Sequence, residues 1–146
     1  MTEDSELFLV NTNILVYAYD DFEKEKREKC FRIVKKVFEG ELEGYISNQI
    51  LGELFFVLTR NMKRPLPVEK AKEIVISFKE SINWKKINYN EKSVVKAINF
   101  VEKFGISFWD ALIAATMLEN NIFTIYTENE KDFKKVPALR IINPFS

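Results

Sequence analysis

Short apolar runs and longer amphipathic stretches alternate along most of the chain. Leu7–Val10 has no polar member, as expected of a strand buried on both faces. Asn11, Thr12 or Asn13 can then cap a helix that runs through Ile14, Leu15 and Tyr17. From Glu23 to Phe38 the spacing is helical, with Phe31, Val34 and Phe38 on one face. The pairs Glu23–Arg27 and Glu25–Lys29 fall on the other face, which reads as solvated. Gly44–Ser47 is a brief strand, Gln49–Arg60 a strongly apolar helix, and Val68–Phe78 a helix after a loop holding Pro65 and Pro67. Trp84–Ile87 is a third strand and Glu91–Phe104 a helix stopped by Gly105; Ser107 opens the helix Phe108–Asn120. Thr124–Tyr126 and Arg140–Ile142 close the pattern as strands, and Pro144 is expected to end the ordered chain.

Strands alternating with helices predict right-handed crossovers and a parallel sheet of four or five strands, covered on both faces. The expected fold is one three-layer α/β/α sandwich spanning residues 1–146, because no Gly/Pro/Ser-rich stretch offers a linker. Hydrophobic residues make up 47% of the chain and include 13 Phe, enough for one well-filled core. The single Cys30 has no partner for a disulfide and is expected to pack as a small apolar residue. In such a sheet, ligands bind at the carboxyl ends of the strands. Asn11, the start of the Gln49 helix and the residues after Tyr126 should therefore gather there.

Charge narrows the picture. Lys+Arg and Asp+Glu balance at 22 each, so no global basic field captures nucleic acid; if RNA is a substrate, it must be held by a local groove or by metal ions. The opening MTEDSELFLV is acidic before a short apolar run, the wrong order and length for a signal peptide. No apolar stretch approaches the roughly 20 residues that span a bilayer, so a cytoplasmic protein without a membrane partner is expected. The chain has no His, which removes Ser-His-Asp and Cys-His triads, His-ligated zinc and His general bases.

Three acidic segments stand in unexpected places. Glu53 lies within ILGELFFVL, with Ile50 and Val57 on its own helical face. A carboxylate there is costly unless a charged or hydrogen-bonding group meets it, or unless Glu53 occupies a solvent edge shared with Gly52 and Gln49. Asp110, in SFWDALIAA, shares a face with Ile113, Ala114 and Met117. It also has the spacing from Ser107 of a capping box, and one carboxylate has lone pairs for both a backbone donor and a cation. The segment TENEKDF, residues 127–133, reads on its own as a polar turn.

A strand leading into NTNILVYA, a Glu on an apolar helix, FWDALIAA, then a strand leading into TENEKDF follow one another in an order that resembles the PIN-domain family, in particular VapC-type toxins. The resemblance covers nearly the whole chain and implies a PIN-like α/β fold and a single-strand endoribonuclease (a hydrolase) dependent on Mg²⁺ or Mn²⁺. Hard divalent cations take oxygen ligands, and acids without His or Cys suit them. Such an ion lowers the pKa of bound water and neutralises charge developing at phosphorus. Position by position, Glu53 and Asp110 match the family's second and third acids. Asp132 matches the fourth, with Asn129 as the competing residue, while Asn13 and Thr127 match polar positions that hold carboxylates and waters.

The first acid is where this chain departs, because Asn11 stands at that position. An amide oxygen still ligates Mg²⁺, but it lacks the negative charge and brings two donors that a cation repels. Impaired activity, or a non-catalytic module that binds RNA or protein, is the alternative. The resemblance further implies a homodimer, to which Phe55, Phe56 and Trp109 lend aromatic surface, and a VapB-type antitoxin partner. A haloacid-dehalogenase reading leaves Asn11 and Asn13 where two acids are needed, a receiver domain lacks its acidic pair, and four Gly are too few for a dinucleotide-binding turn.

Overall fold

A computed structural model, describing residues 6–146, places five strands in one fully parallel sheet of order β3-β2-β1-β4-β5. Residues 1–5, on which the signal-peptide argument partly rests, lie outside the described residues. The elements run β1 (Leu7–Val10), α1 (Thr12–Tyr17), α2 (Lys24–Phe38), β2 (Glu43–Ser47), α3 (Asn48–Arg60) and α4 (Val68–Glu80). They continue as β3 (Lys85–Ile87), α5 (Glu91–Phe104), α6 (Phe108–Glu119), β4 (Thr124–Tyr126), α7 (Glu130–Phe133) and β5 (Arg140–Ile142).

The strand order decides which face each helix covers. The steps from β1 to β2 and from β2 to β3 move one way along the sheet, and the steps to β4 and β5 move the other way. Right-handed crossovers then put α1–α4 on one face and α5–α7 on the opposite face, giving three layers. Packing agrees, since α1 lies against α2 and α3, and α6 against α5 and α7. The reversal falls between β1 and β4, which pair with Val10 opposite Tyr126. No helix among the described residues is long and apolar enough to cross a membrane.

The punctuation follows the residues expected to supply it. Asn11 and Ser107 cap α1 and α6 through their side chains, Gly105 ends α5 in the left-handed conformation at φ 68°, and Ser47, read from sequence only as the end of a strand, also caps α3. Four expectations need correction. The buried stripe of α2 is Cys30, Val34 and Val37, displaced from the expected one, and Phe31 is exposed. The solvated face carries Arg32–Glu28 and Lys35–Glu39 contacts in place of the expected pairs. The supposed polar turn contains the short helix α7, anchored by the fully buried Phe133. Order does not stop at Pro144 either: Phe145 packs edge-on against Tyr17, with ring centroids 5.5 Å apart.

Beneath α2 and α4, Phe38, Phe78 and Trp84 pack mutually with centroids 5.0–5.9 Å apart. Gly44 on β2 lets this cluster close, because a Cβ there would lie 2.7 Å from a Val37 methyl and 3.2 Å from the Trp84 ring. Gly52 on α3 has nothing within 4 Å of the equivalent point. Alanine should therefore have opposite effects at the two sites. Gly44→Ala is expected to lose about 2 kcal/mol by overpacking, and Gly52→Ala to gain up to about 1 kcal/mol from helix propensity. Urea denaturation of both variants measures this; equal effects would mean that the Gly44 contact is relieved freely.

Candidate active site

Crossovers that leave β1 and β4 toward opposite faces open a crevice at the carboxyl ends of those strands. Asn11 sits at its base, buried as it leaves β1, with its backbone N–H donating to Tyr126 O at 3.0 Å. Its Oδ1 accepts the Thr12 N–H at 2.8 Å, and its Nδ2 donates to Thr127 Oγ1 at 2.9 Å. The same hydroxyl also receives Asn13 Nδ2 at 3.3 Å and the Asn129 N–H at 3.0 Å. Three donors thus converge on an oxygen with two lone pairs. Turning the Asn11 amide over gives no relief, since Nδ2 would then face the Thr12 N–H. A carboxylate would accept from Thr12 and from the Thr127 hydroxyl together. Position 11 is surrounded as an acceptor site on both sides, and the amide satisfies one of them.

Glu53 reaches the crevice from α3. Thr12 Oγ1 donates to its Oε1 at 2.6 Å and Gln49 Nε2 to its Oε2 at 2.9 Å. Both donors are neutral, so the carboxylate is oriented without an ion pair. Its position combines the two sequence alternatives: it lies on a solvent-facing edge with Gln49 and the exposed Gly52, and that edge forms a wall of the groove.

Asp110 enters from α6, on the opposite face of the sheet. Ser107 Oγ accepts the Asp110 N–H at 3.4 Å, but the Ser107 N–H donates to Asp132 Oδ2 at 3.1 Å. Asp132 thus takes the return bond of the capping box, which leaves the Asp110 carboxyl for other partners. Burial, then a hydrogen bond and charge from Asp132, push the Asp110 carboxyl up to about 6, with Glu53 adding to the shift. At Asp132 burial acts upward, but the Ser107 N–H and the Asp110 carboxyl outweigh it, and the net shift is downward. The two carboxyls therefore titrate as a pair, Asp110 holding its proton to higher pH than Asp132. Of the two candidates for the fourth position, Asp132 in α7 meets Asp110, whereas Asn129, which precedes that helix, is exposed and offers the site only its backbone N–H.

The crevice is a groove of about 1130 Å³, and Asp132 stands beside Asp110 outside its lining. Asn11, Glu53 and Asp110 line it, as do Phe56, Tyr89 and Trp109, which are well exposed; Lys63 is the one Lys or Arg in the lining. Beside it, Tyr17 donates to Glu128 Oε1 at 2.6 Å and Lys26 to Glu128 Oε2 at 2.6 Å, clasping α1 and α2 to the segment after β4. Sequence reasoning missed this clasp, and it missed Thr12 and Gln49 as the partners of Glu53. The i,i+4 spacing of Gln49 and Glu53 was the available signal. The converging side chains are oxygen donors without thiol or imidazole, which suits a hard divalent cation. Among the described residues no three acidic or thiol groups already stand at metal-binding separation, so binding would draw Glu53 toward the Asp110–Asp132 pair.

A protein-family model described as PIN domain matches residues 8–139. Among solved structures, a toxin-antitoxin complex from Klebsiella pneumoniae matches at 18% identity and TM-score 0.66, over 96% of this chain and 98% of that one. VapBC2 from Rickettsia felis, bound to a DNA fragment from their promoter, matches at 23% identity and TM-score 0.67, over 94% and 98%. VapC20 of Mycobacterium tuberculosis, a sarcin-ricin loop cleaving toxin, matches at 16% identity and TM-score 0.68, over 88% and 95%. At these identities the likeness is one of fold. No curated protein matches the sequence significantly.

The raised Asp110 carboxyl fixes the sign of a stability test. A carboxyl whose folded pKa exceeds its unfolded one penalises the fold as pH rises from about 4 through about 6, and the penalty is full above that. Asp110→Asn should therefore stabilise the metal-free protein at pH 8 by about 1 kcal/mol, a figure discounted for the partial exposure of the site. At pH 4 the gain should vanish. Urea denaturation in EDTA at both pH values measures it; a loss of about 1 kcal/mol at both would mean that Asp110 acts only as a cap.

Proposed function

The chain belongs to the PIN domain family, and on that footing we propose that it is a metal-dependent single-strand endoribonuclease of the VapC toxin type, weakened by Asn11. The observation that carries this reading is the Asp110 carboxyl at the carboxyl edge of the sheet, crowded by Asp132 and by Glu53, with which it lines the crevice. Carboxyls crowded together without a counter-charge are where a cation gains most. Asp110, Asp132 and Glu53 would hold Mg²⁺ or Mn²⁺, with Asn11 at the remaining position. Such an ion supplies an activated water and neutralises charge at phosphorus.

The chain's own residues prepare that chemistry. Thr12 and Gln49 aim the Glu53 carboxylate, and Asn13 and Thr127 fix the exit of β4. Below about pH 6 the raised Asp110 carboxyl would hold a proton in competition with a cation, so affinity should rise with pH through about 6. The exposed rings of Trp109, Tyr89 and Phe56 offer stacking surfaces to unpaired bases, which suits single-stranded RNA in a protein of balanced charge. The same acidic, aromatic groove suits the basic side chain of a VapB-type antitoxin, the kind of partner present in the VapBC2 structure. We place the protein in the cytoplasm, as a homodimer.

One observation favours a non-catalytic binding module instead. The Asn11 Oδ1 is already engaged by the Thr12 N–H at 2.8 Å, which leaves a weak ligand where the family has an acid. Calorimetry with Mn²⁺ separates the readings, because a dead module binds none even at millimolar metal.

Asn11→Asp is the direct test of the enzyme. It supplies the second acceptor that Thr127 lacks and restores the missing charge, so RNA cleavage with Mg²⁺ or Mn²⁺ should rise about 10²–10³-fold. The gain should disappear with EDTA, with Glu53→Gln or with Asp110→Asn. If the parent chain cleaves single-stranded RNA as fast as the variant, position 11 does not limit metal use. The dimer is tested by sedimentation at micromolar concentration, where a species near twice 17.2 kDa is expected and a monomer alone removes it.

A further inference from the structure

We propose that Gln49 is a positioning residue of this site, a strut that sets the Glu53 carboxylate of α3 against the turn of α6 that bears Asp110. The inference rests on the reading of Glu53 and Asp110 as cation ligands and adds the part that holds them in register. Gln49 Nε2 donates to two acceptors, Glu53 Oε2 at 2.9 Å and Trp109 O at 3.1 Å. Trp109 O belongs to the peptide that supplies the Asp110 nitrogen, so one amide group ties the carboxylate of one helix to the backbone of the other. Among the described residues it is the one side-chain hydrogen bond that joins α3 to α6.

That link crosses the site at the point where nothing else does. Helices α3 and α6 lie on opposite faces of the sheet, and the carboxylates they carry repel each other. The orientation of the amide is settled by chemistry, because turning it over would set Oε1 against two oxygens and lose both bonds. The orientation has a cost that packing would not choose. Gln49 Oε1 is buried with no partner, an arrangement that opposes folding and that a Met of equal length would avoid. A buried acceptor left unpaired so that its own nitrogen can hold two oxygens is what a positioning role requires. Thr12 Oγ1 completes the setting by holding the other carboxylate oxygen at 2.6 Å. Both donors are neutral, and each Glu53 oxygen keeps a lone pair for a cation.

The test uses Mn²⁺ titrated calorimetrically into full-length Asn11→Asp protein, with Gln49→Met, Glu53→Gln and the two combined. Gln49→Met should weaken Mn²⁺ binding by about tenfold or more, while the thermal midpoint in EDTA holds or rises. In the Glu53→Gln background it should weaken binding no further, because its effect runs through Glu53. Gln49→Ala, a good helix former too short to reach either acceptor, must reproduce the loss and covers the case in which Met does not fold. Unchanged affinity in the Gln49 variants, beside a parent that binds Mn²⁺, overturns the strut and leaves the enzyme reading standing. An equal loss with and without Glu53 also overturns it. A parent that binds no Mn²⁺ defeats the metal reading and the strut with it.

Discussion

The parallel pairing of β1 with β4 is the constraint on which the remaining structure of the site depends. It brings Val10 beside Tyr126 and, one residue on, lets Asn11 bond to Thr127 across 116 positions of sequence. Every other element is placed relative to that seam. The helices that bring Glu53 and those that bring Asp110 and Asp132 are sent to opposite faces because the chain changes direction along the sheet there. The crevice is a product of topology, and side chains only furnish it. Pairing strands so far apart in sequence makes loop closure slow. The site therefore cannot form before the last crossover has docked, whatever its local sequence favours.

Within the crevice, acids are held by groups that do not neutralise them. Hydroxyls and amides meet Glu53, a backbone N–H meets Asp132, and Lys26 is engaged by Glu128. A buried carboxylate with a cationic partner would be better for the fold and worse for binding anything positive. The arrangement leaves electrostatic strain unspent, which raises the Asp110 carboxyl beside Asp132 and Glu53. Asn11 relieves part of that strain by removing one charge, and it leaves behind a hydroxyl with more donors than lone pairs.

Much of this was legible in the chain because it depends on local pattern. The switch from short apolar runs to helical spacing gave the α/β class, and Asn11, Ser107 and Gly105 announced helix ends through their own chemistry. What stayed hidden depends on tertiary neighbours. In α2, Cys30, Val34 and Val37 face inward while Phe31 does not, since the entry of the helix sets its rotation and spacing alone allows either stripe. The four residues of α7 carry a single apolar anchor, Phe133, too few to show a period. Ser107 and Asp110 had the spacing of a reciprocal cap, yet Asp132 displaced one of the two bonds from 25 positions away. Gln49 and Trp109 meet across 60 positions, a distance no periodicity reports.

The tail has a practical bearing on how the molecule can be handled. Phe145 leans on Tyr17, and Lys26 lies 5.0 Å above its ring while gripping Glu128. Tyr17 in turn lines the groove, so these last residues buttress one of its walls. Affinity handles or fluorescent fusions attached after Ser146 would load that wall directly. Leu7, by contrast, lies at the amino edge of the sheet, the length of β1 away from Asn11.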